Sequence, residues 1–242
     1  MSPIRPIIKV CGMRDGENIR QVAELGVDYI GMIFWEKSPR NVTMIPTHAG
    51  IIPDRSSLSE QSSDLPSPVT IHHSPQRVGV FVDEMPQNII TRVVNFKLDV
   101  VQMHGHESPT VIRNLRATLD PDIRPGIQFW KAISISSRSD LDICKAYEDC
   151  VDAFVFDTKC TCVGGSGQQF DWSVLADYAG ERPFLLSGGI GPDDAPRLRQ
   201  TLALDGFPVE KFIGIDLNSR FETAPALKDI NKLKEFINTV RS

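Results

Sequence analysis

Eight short apolar runs recur along the chain, each followed by a polar stretch, and this alternation constrains the fold more than any other feature. The runs are IIKVCG (7–12), YIGMIFW (29–35), RVGVFV (77–82), DVVQMHG (99–105), FWKAISI (129–135), AFVFDT (153–158), FLLSGG (184–189) and FIGIDL (212–217). Nearly continuous hydrophobic strands are buried on both faces, as in parallel sheets covered by helices. The stretches between them place helices at 15–25, 86–96, 109–119, 139–147, 171–178, 192–204 and 229–240, with Asp15, Ser108, Ser139 and Asp229 as N-caps. Eight strand–helix units in 242 residues match the α/β class and, within it, a (β/α)8 or TIM barrel, whose usual size is about 250 residues. The rival, an open doubly wound sheet, usually carries a G-x-G-x-x-G turn after its first strand. Here that strand ends Cys11-Gly12-Met13-Arg14. A single domain over 1–242 is expected, broken by a Ser- and Pro-dense stretch at about 53–76 that reads as a flexible insertion in place of the second helix.

Charge narrows the partners. A net charge of −5 with no dense Lys/Arg cluster argues against nucleic acid and anionic membrane as partners. The longest apolar runs fall well short of a membrane span, and the N-terminus leads into the first strand without a long apolar segment, so a cytoplasmic location is expected. Five cysteines, at 11, 144, 150, 160 and 162, are odd in number and do not suggest a disulfide framework. The Cys160/Cys162 pair and His72-His73 lack the further ligands that a metal centre needs, and no metal is expected.

In a parallel barrel the functional face is the carboxyl end of the strands. The residues there are Cys11, the 35–40 turn, Asp83, His104, Ser134 or Ser136, Asp157, 187–189 and 216–219. Gly164, Gly165 and Gly167, with Gly188, Gly189, Asn218 and Ser219, bring backbone amides to the late strands, where barrels commonly bind phosphate. A small phosphorylated molecule is therefore the expected partner. His104 either lines this mouth or packs at a strand end.

The segments KVCGM (9–13), FWEKSPRNV (34–42), VGVFVDE (78–84), DVVQMHGHE (99–107), FDTK with GGSGQQFDW (156–172), LLSGGI (185–190) and DLNSRFE with KD (216–229) occur in order and at suitable spacing. Together they resemble the phosphoribosylanthranilate isomerase family of tryptophan biosynthesis, nearly end to end except over 53–76. The resemblance implies an Amadori rearrangement that needs one acid, one base and no cofactor. It implies Asp157 as general acid, Cys11 as general base, Arg40 as the group holding the anthranilate carboxylate, and Asp216 as a pocket residue of the last strand. A thiol of ordinary pKa, about 8.5, has to be lowered by a cation or helix ends to act as a thiolate base. An acidic carboxyl has to be buried to keep its proton at neutral pH.

Two departures from the family pattern stand out. The final turn reads Asp216-Leu217-Asn218-Ser219-Arg220-Phe221-Glu222 where the family has D-V-S-S-G-V-E, and Arg220 replaces a glycine that readily takes positive φ. Either the turn is right-handed here, or the phosphate gains a cationic contact. The Cys160-Thr161-Cys162 insert reads as a lid. Three rivals remain: a barrel isomerase of another phosphorylated aminoaldose, which would present paired aspartates; a silent phosphate-binding regulator; and a thiol or metal module on Cys160 and Cys162. A monomer or homodimer is expected.

Overall fold

The computed structural model describes residues 5–43, 74–158 and 171–242. Strands β1 (Ile7–Val10), β2 (Tyr29–Ile33), β3 (Gln76–Phe81), β4 (Val100–Met103), β5 (Gln128–Ile135), β6 (Ala153–Thr158), β7 (Phe184–Ser187) and β8 (Phe212–Leu217) form a closed barrel in chain order. All eight pairings are parallel, and β1 closes the ring on β8 with Lys9 opposite Asp216. The open-sheet rival is excluded by that closure. Residues 53–73 of the expected insertion lie outside the described residues, and Gln76, placed in it from sequence, opens β3 opposite Tyr29.

Helices α1 (Gly16–Glu24), α2 (Pro86–Phe96), α3 (Pro109–Leu119), α4 (Ala195–Leu202) and α5 (Ile230–Arg241) cover the barrel. Asp15, Ser108 and Asp229 cap three of them by accepting from Asn18, Val111 and Lys232 N–H groups. Ser139 does not cap the next segment. Ser137 does, because the Asp140 carboxylate gathers the N–H groups of Ser136 and Ser137, and the segment is a 3₁₀ helix, Arg138–Ala146. The expected helix at 171–178 is likewise a 3₁₀ helix, Trp172–Asp177. The one at 192–204 splits into a 3₁₀ turn, Pro192–Asp194, and α4, whose Pro196 suits a first helical turn because it has no N–H to satisfy.

Two cores result. Between strands and helices, side chains such as Ile8, Val10, Phe129, Phe154, Phe156 and Phe184 are fully buried, each contributing about 1.5–3 kcal/mol by burial. Inside the ring, Val78, Val100, Trp130, Ala153 and Leu185 fill the base. The strands stop earlier than their apolar runs where glycine takes positive φ: Gly12 at 75° after β1, and Gly188 and Gly189 at 85° and 67° after β7. A short hairpin, β9 (Glu222–Ala224) and β10 (Leu227–Lys228), follows β8 and was not expected from sequence. No helix among the described residues is long and apolar enough to cross a membrane.

Candidate active site

Side chains alternate across a strand, so period two decides which groups reach the barrel's interior. On β1 that set is Ile7, Lys9 and then Cys11; on β4 it is Val100, Gln102 and then His104; on β6 it is Ala153, Val155 and Asp157. An apolar base is thereby topped by a polar tier at the carboxyl ends.

Cys11 follows β1 directly, held by its N–H to the Leu217 carbonyl at 2.8 Å. Its sulfur lies against Gly31 of β2, where an added Cβ would sit 2.8 Å from Sγ. Beneath it Lys9, 0% exposed, pairs with Asp216 at 2.7 Å and acts on the thiol through its charge. Burial pushes the Cys11 thiol up, Lys9 and Lys228 pull it back, and Asp216 adds to the rise. The lowered thiol expected from sequence is thus not what the free site holds, because desolvation of the buried sulfur outweighs two ammonium groups. Burial also pushes Asp216 up against the pull of Lys9, and its Oδ1 is buried without a partner.

Across the ring, Asp157 stands between Ser134 of β5 and Ser187 of β7 in register. Its carboxylate Oδ2 lies 3.4 Å from His104 Nε2, and both side chains remain about a third exposed, at 32% and 33%. The full burial expected of an acid is therefore absent from the open mouth. The other His104 nitrogen, Nδ1, is 3.2 Å from the Gln102 amide.

These groups share one cavity of about 180 Å3. Of the residues expected from sequence, Cys11, His104, Asp157, Asp216, Ser187, Gly188, Gly189, Asn218 and Ser219 line it, and Gln102, Arg220 and the apolar Ile33, Val80 and Ile190 complete the wall. At Gly189 nothing lies within 4 Å of an added Cβ, so its φ of 67° is what demands glycine. Arg220 sits in the 3₁₀ turn Ser219–Phe221 and is not among the positive-φ residues; the left-handed position of this region is Ala226 instead. The turn is right-handed and the arginine faces the cavity. Gly164, Gly165, Gly167, Cys160, Cys162, His72 and His73 lie outside the described residues. A larger surface groove of about 610 Å3, between Arg77, Lys97 and Arg124 at the amino ends of β3 and β4, holds no such acid, thiol or glycine constellation.

A family model described as N-(5'phosphoribosyl)anthranilate (PRA) isomerase matches residues 8–239. The chain belongs to the PRA isomerase family. The N-(5'-phosphoribosyl)anthranilate isomerase of Parabacteroides distasonis is 43% identical over 234 residues, covering 97% of this chain and 93% of that one. Its counterpart from Phocaeicola vulgatus is 41% identical over 235 residues, covering 97% and 98%. The crystal structure of phosphoribosyl anthranilate isomerase from Thermotoga maritima shares a TM-score of 0.72 at 28% identity, covering 97% and 98%. A PRA isomerase complex with reduced 1-(o-carboxyphenylamino)-1-deoxyribulose 5-phosphate gives 0.68 at 26%, with the same coverage.

Arg40, assigned by the resemblance, and Asp83, named as a strand end, do not line the cavity. The Nε and Nη2 of Arg40 donate to Glu222 at 2.8 and 2.5 Å, beside Gly12, where an added Cβ would strike Arg40 Cδ and Asn218 Oδ1 at 2.6 Å. Hydrogen bonding to Glu222 raises the Arg40 pKa further. Asp83, with φ of 49°, turns away and accepts from the backbone and ring of His106. Sequence reading missed Lys9, Gln102, Glu222 and Lys228. Period two from Cys11 and His104 would have found the first two.

Proposed function

We propose that the chain catalyses the Amadori rearrangement of N-(5′-phosphoribosyl)anthranilate to 1-(2-carboxyphenylamino)-1-deoxyribulose 5-phosphate, a step of tryptophan biosynthesis. The single observation that carries this reading is Cys11 and Asp157 lining one cavity at the carboxyl ends of β1 and β6, three strands apart around the ring. Asp157 as acid gives its proton to the furanose ring oxygen. The C1′–O4′ bond breaks as the anilino nitrogen forms an iminium, and Cys11 as thiolate takes the C2′ proton. The resulting enolamine tautomerises to the aminoketose. The enzyme is left with a thiol and a carboxylate, and proton exchange with water resets both.

Lys9 supports this base by placing an ammonium beside the sulfur where negative charge develops. Gly188, Gly189, Asn218, Ser219 and Arg220 receive the phosphate end, and Gly164, Gly165 and Gly167, which follow β6 in sequence, supply further backbone amides to it. Arg40 receives the anthranilate carboxylate, matching guanidinium to a planar acid. The chemistry moves protons and rearranges bonds within one substrate, so it calls for neither redox cofactor nor metal. A cytoplasmic site suits the free thiols at Cys11, Cys144 and Cys150. Incubating the purified protein with the aminoaldose and identifying the product by NMR tests the reading. Formation of the aminoketose supports it, and unchanged substrate with folded protein refutes it.

A further inference from the structure

Gln102 lies on β4 two residues before His104, so both side chains point into the barrel. It is 1% exposed, lines the cavity, and its amide Nε2 lies 3.2 Å from His104 Nδ1. Its Oε1 is buried with no partner, which leaves the ring contact to orient the amide. The far ring nitrogen, Nε2, faces Asp157 Oδ2 at 3.4 Å. Three side chains from two strands thus form a chain that ends on the proposed acid.

The donor pattern decides the proton's place. A neutral imidazole has one donor and one acceptor nitrogen, and an amide NH2 only donates. Nδ1 therefore accepts from Gln102, and the ring proton stands on Nε2, toward the carboxylate. With the amide reversed, Nδ1–H would donate to Oε1, and the Nε2 lone pair would face a carboxylate oxygen as soon as Asp157 lost its proton.

We propose that Gln102 is a positioning residue for the acid step: it holds His104 in the tautomer whose Nε2–H receives the Asp157 carboxylate left after proton donation. In that step the Asp157 O–H bond breaks and the proton passes to the sugar ring oxygen. The electron pair stays on Asp157, and His104 keeps its own proton while hydrogen-bonding to the new anion. The inference rests on the reading of Asp157 as acid, and Gln102 itself touches no reacting atom.

The test uses the 15N-labelled full chain, with the ring nitrogens of His104 assigned by their loss in His104→Gln. Gln102→Leu removes the donor. Gln102→Glu keeps size and replaces the donor with an acceptor, which covers the case in which the leucine variant fails to fold. In the wild type the neutral ring carries its proton on Nε2. Both variants shift it toward Nδ1, and kcat falls by about tenfold or more while KM stays within about threefold, the signature of an effect on the chemical step. A wild-type ring with its proton on Nδ1, or kcat retained within about twofold in both variants, overturns the proposal. Asp157→Asn separates the two levels. If it is inactive while the Gln102 variants are unimpaired, this inference alone fails; if it retains wild-type turnover, the acid assignment fails and takes the inference with it.

Discussion

Arg40 and Glu222, 182 positions apart, meet through two parallel charge-assisted hydrogen bonds, and Lys228 reaches the same carboxylate at 2.7 Å. The hairpin after β8 thereby clamps the loop after β2. The contact takes the Nε–Nη2 edge of the guanidinium, and a substrate carboxylate would take the Nη1–Nη2 edge, so Glu222 fixes the plane in which Arg40 offers it.

Glu222→Gln leaves Lys228, whose side chain is 0% exposed, and Arg40, 19% exposed, without their counter-ion. Breaking a buried pair from one side costs about 3 kcal/mol, read by urea denaturation, and the KM for the aminoaldose rises severalfold as Arg40 loses its orientation. Burial opposes the Glu222 charge, but Arg40 and Lys228 together hold its pKa below the ordinary glutamate value. A depressed carboxylate stabilises the fold above its unfolded value of about 4.3 and loses that contribution as pH falls through the folded value. Wild-type stability therefore drops below about pH 5, and the variant shows a flatter acid limb. Equal stability of the two proteins at pH 7 would contradict the clamp.

Lys9→Met removes the cation that most opposes the rise of the Cys11 thiol. The limb of the kcat/KM profile that reports ionisation of the base moves to higher pH, and each unit of movement cuts activity at neutral pH about tenfold. The unpaired Asp216 lowers stability as well, so Lys9→Met/Asp216→Asn is the companion variant that keeps the fold and still shows the shifted limb. A profile that does not move would dissociate Lys9 from the base.

Gly31→Ala places a methyl 2.8 Å from Cys11 Sγ and 3.1 Å from its Cα. The sulfur has to shift, and displacement by about 1 Å at a reacting atom is enough for a loss of about 100-fold in kcat/KM. Circular dichroism should show the barrel intact. Unchanged kinetics would mean that the sulfur's position is not constrained as described.

The eight strands were legible because a barrel buried on both faces writes its strands as apolar runs, and α2 and α3 matched in full because Pro86 and Pro109 mark their first turns. Strand ends were less so: Gly12, Gly188 and Gly189 sat inside the runs, and their positive φ was not visible there. Cys11, His104 and Asp157 were found because the carboxyl ends of strands are countable from sequence. Lys9 was passed over as a charge inside an apolar run, and its neutraliser, Asp216, becomes a neighbour only when the ring closes. Arg40 was read by its motif, whereas its partner Glu222 opens a hairpin with strands of 3 and 2 residues, too short to leave a period.

Turnover by purified wild type, Cys11→Ser and Asp157→Asn, followed as the loss of phosphoribosylanthranilate fluorescence, tests the acid and base assignments most directly. Rapid isomerisation by the wild type, reduced by orders of magnitude in both variants with unchanged circular dichroism, is the predicted result. A well-folded wild type without activity, or either variant retaining near-wild-type turnover, would contradict it.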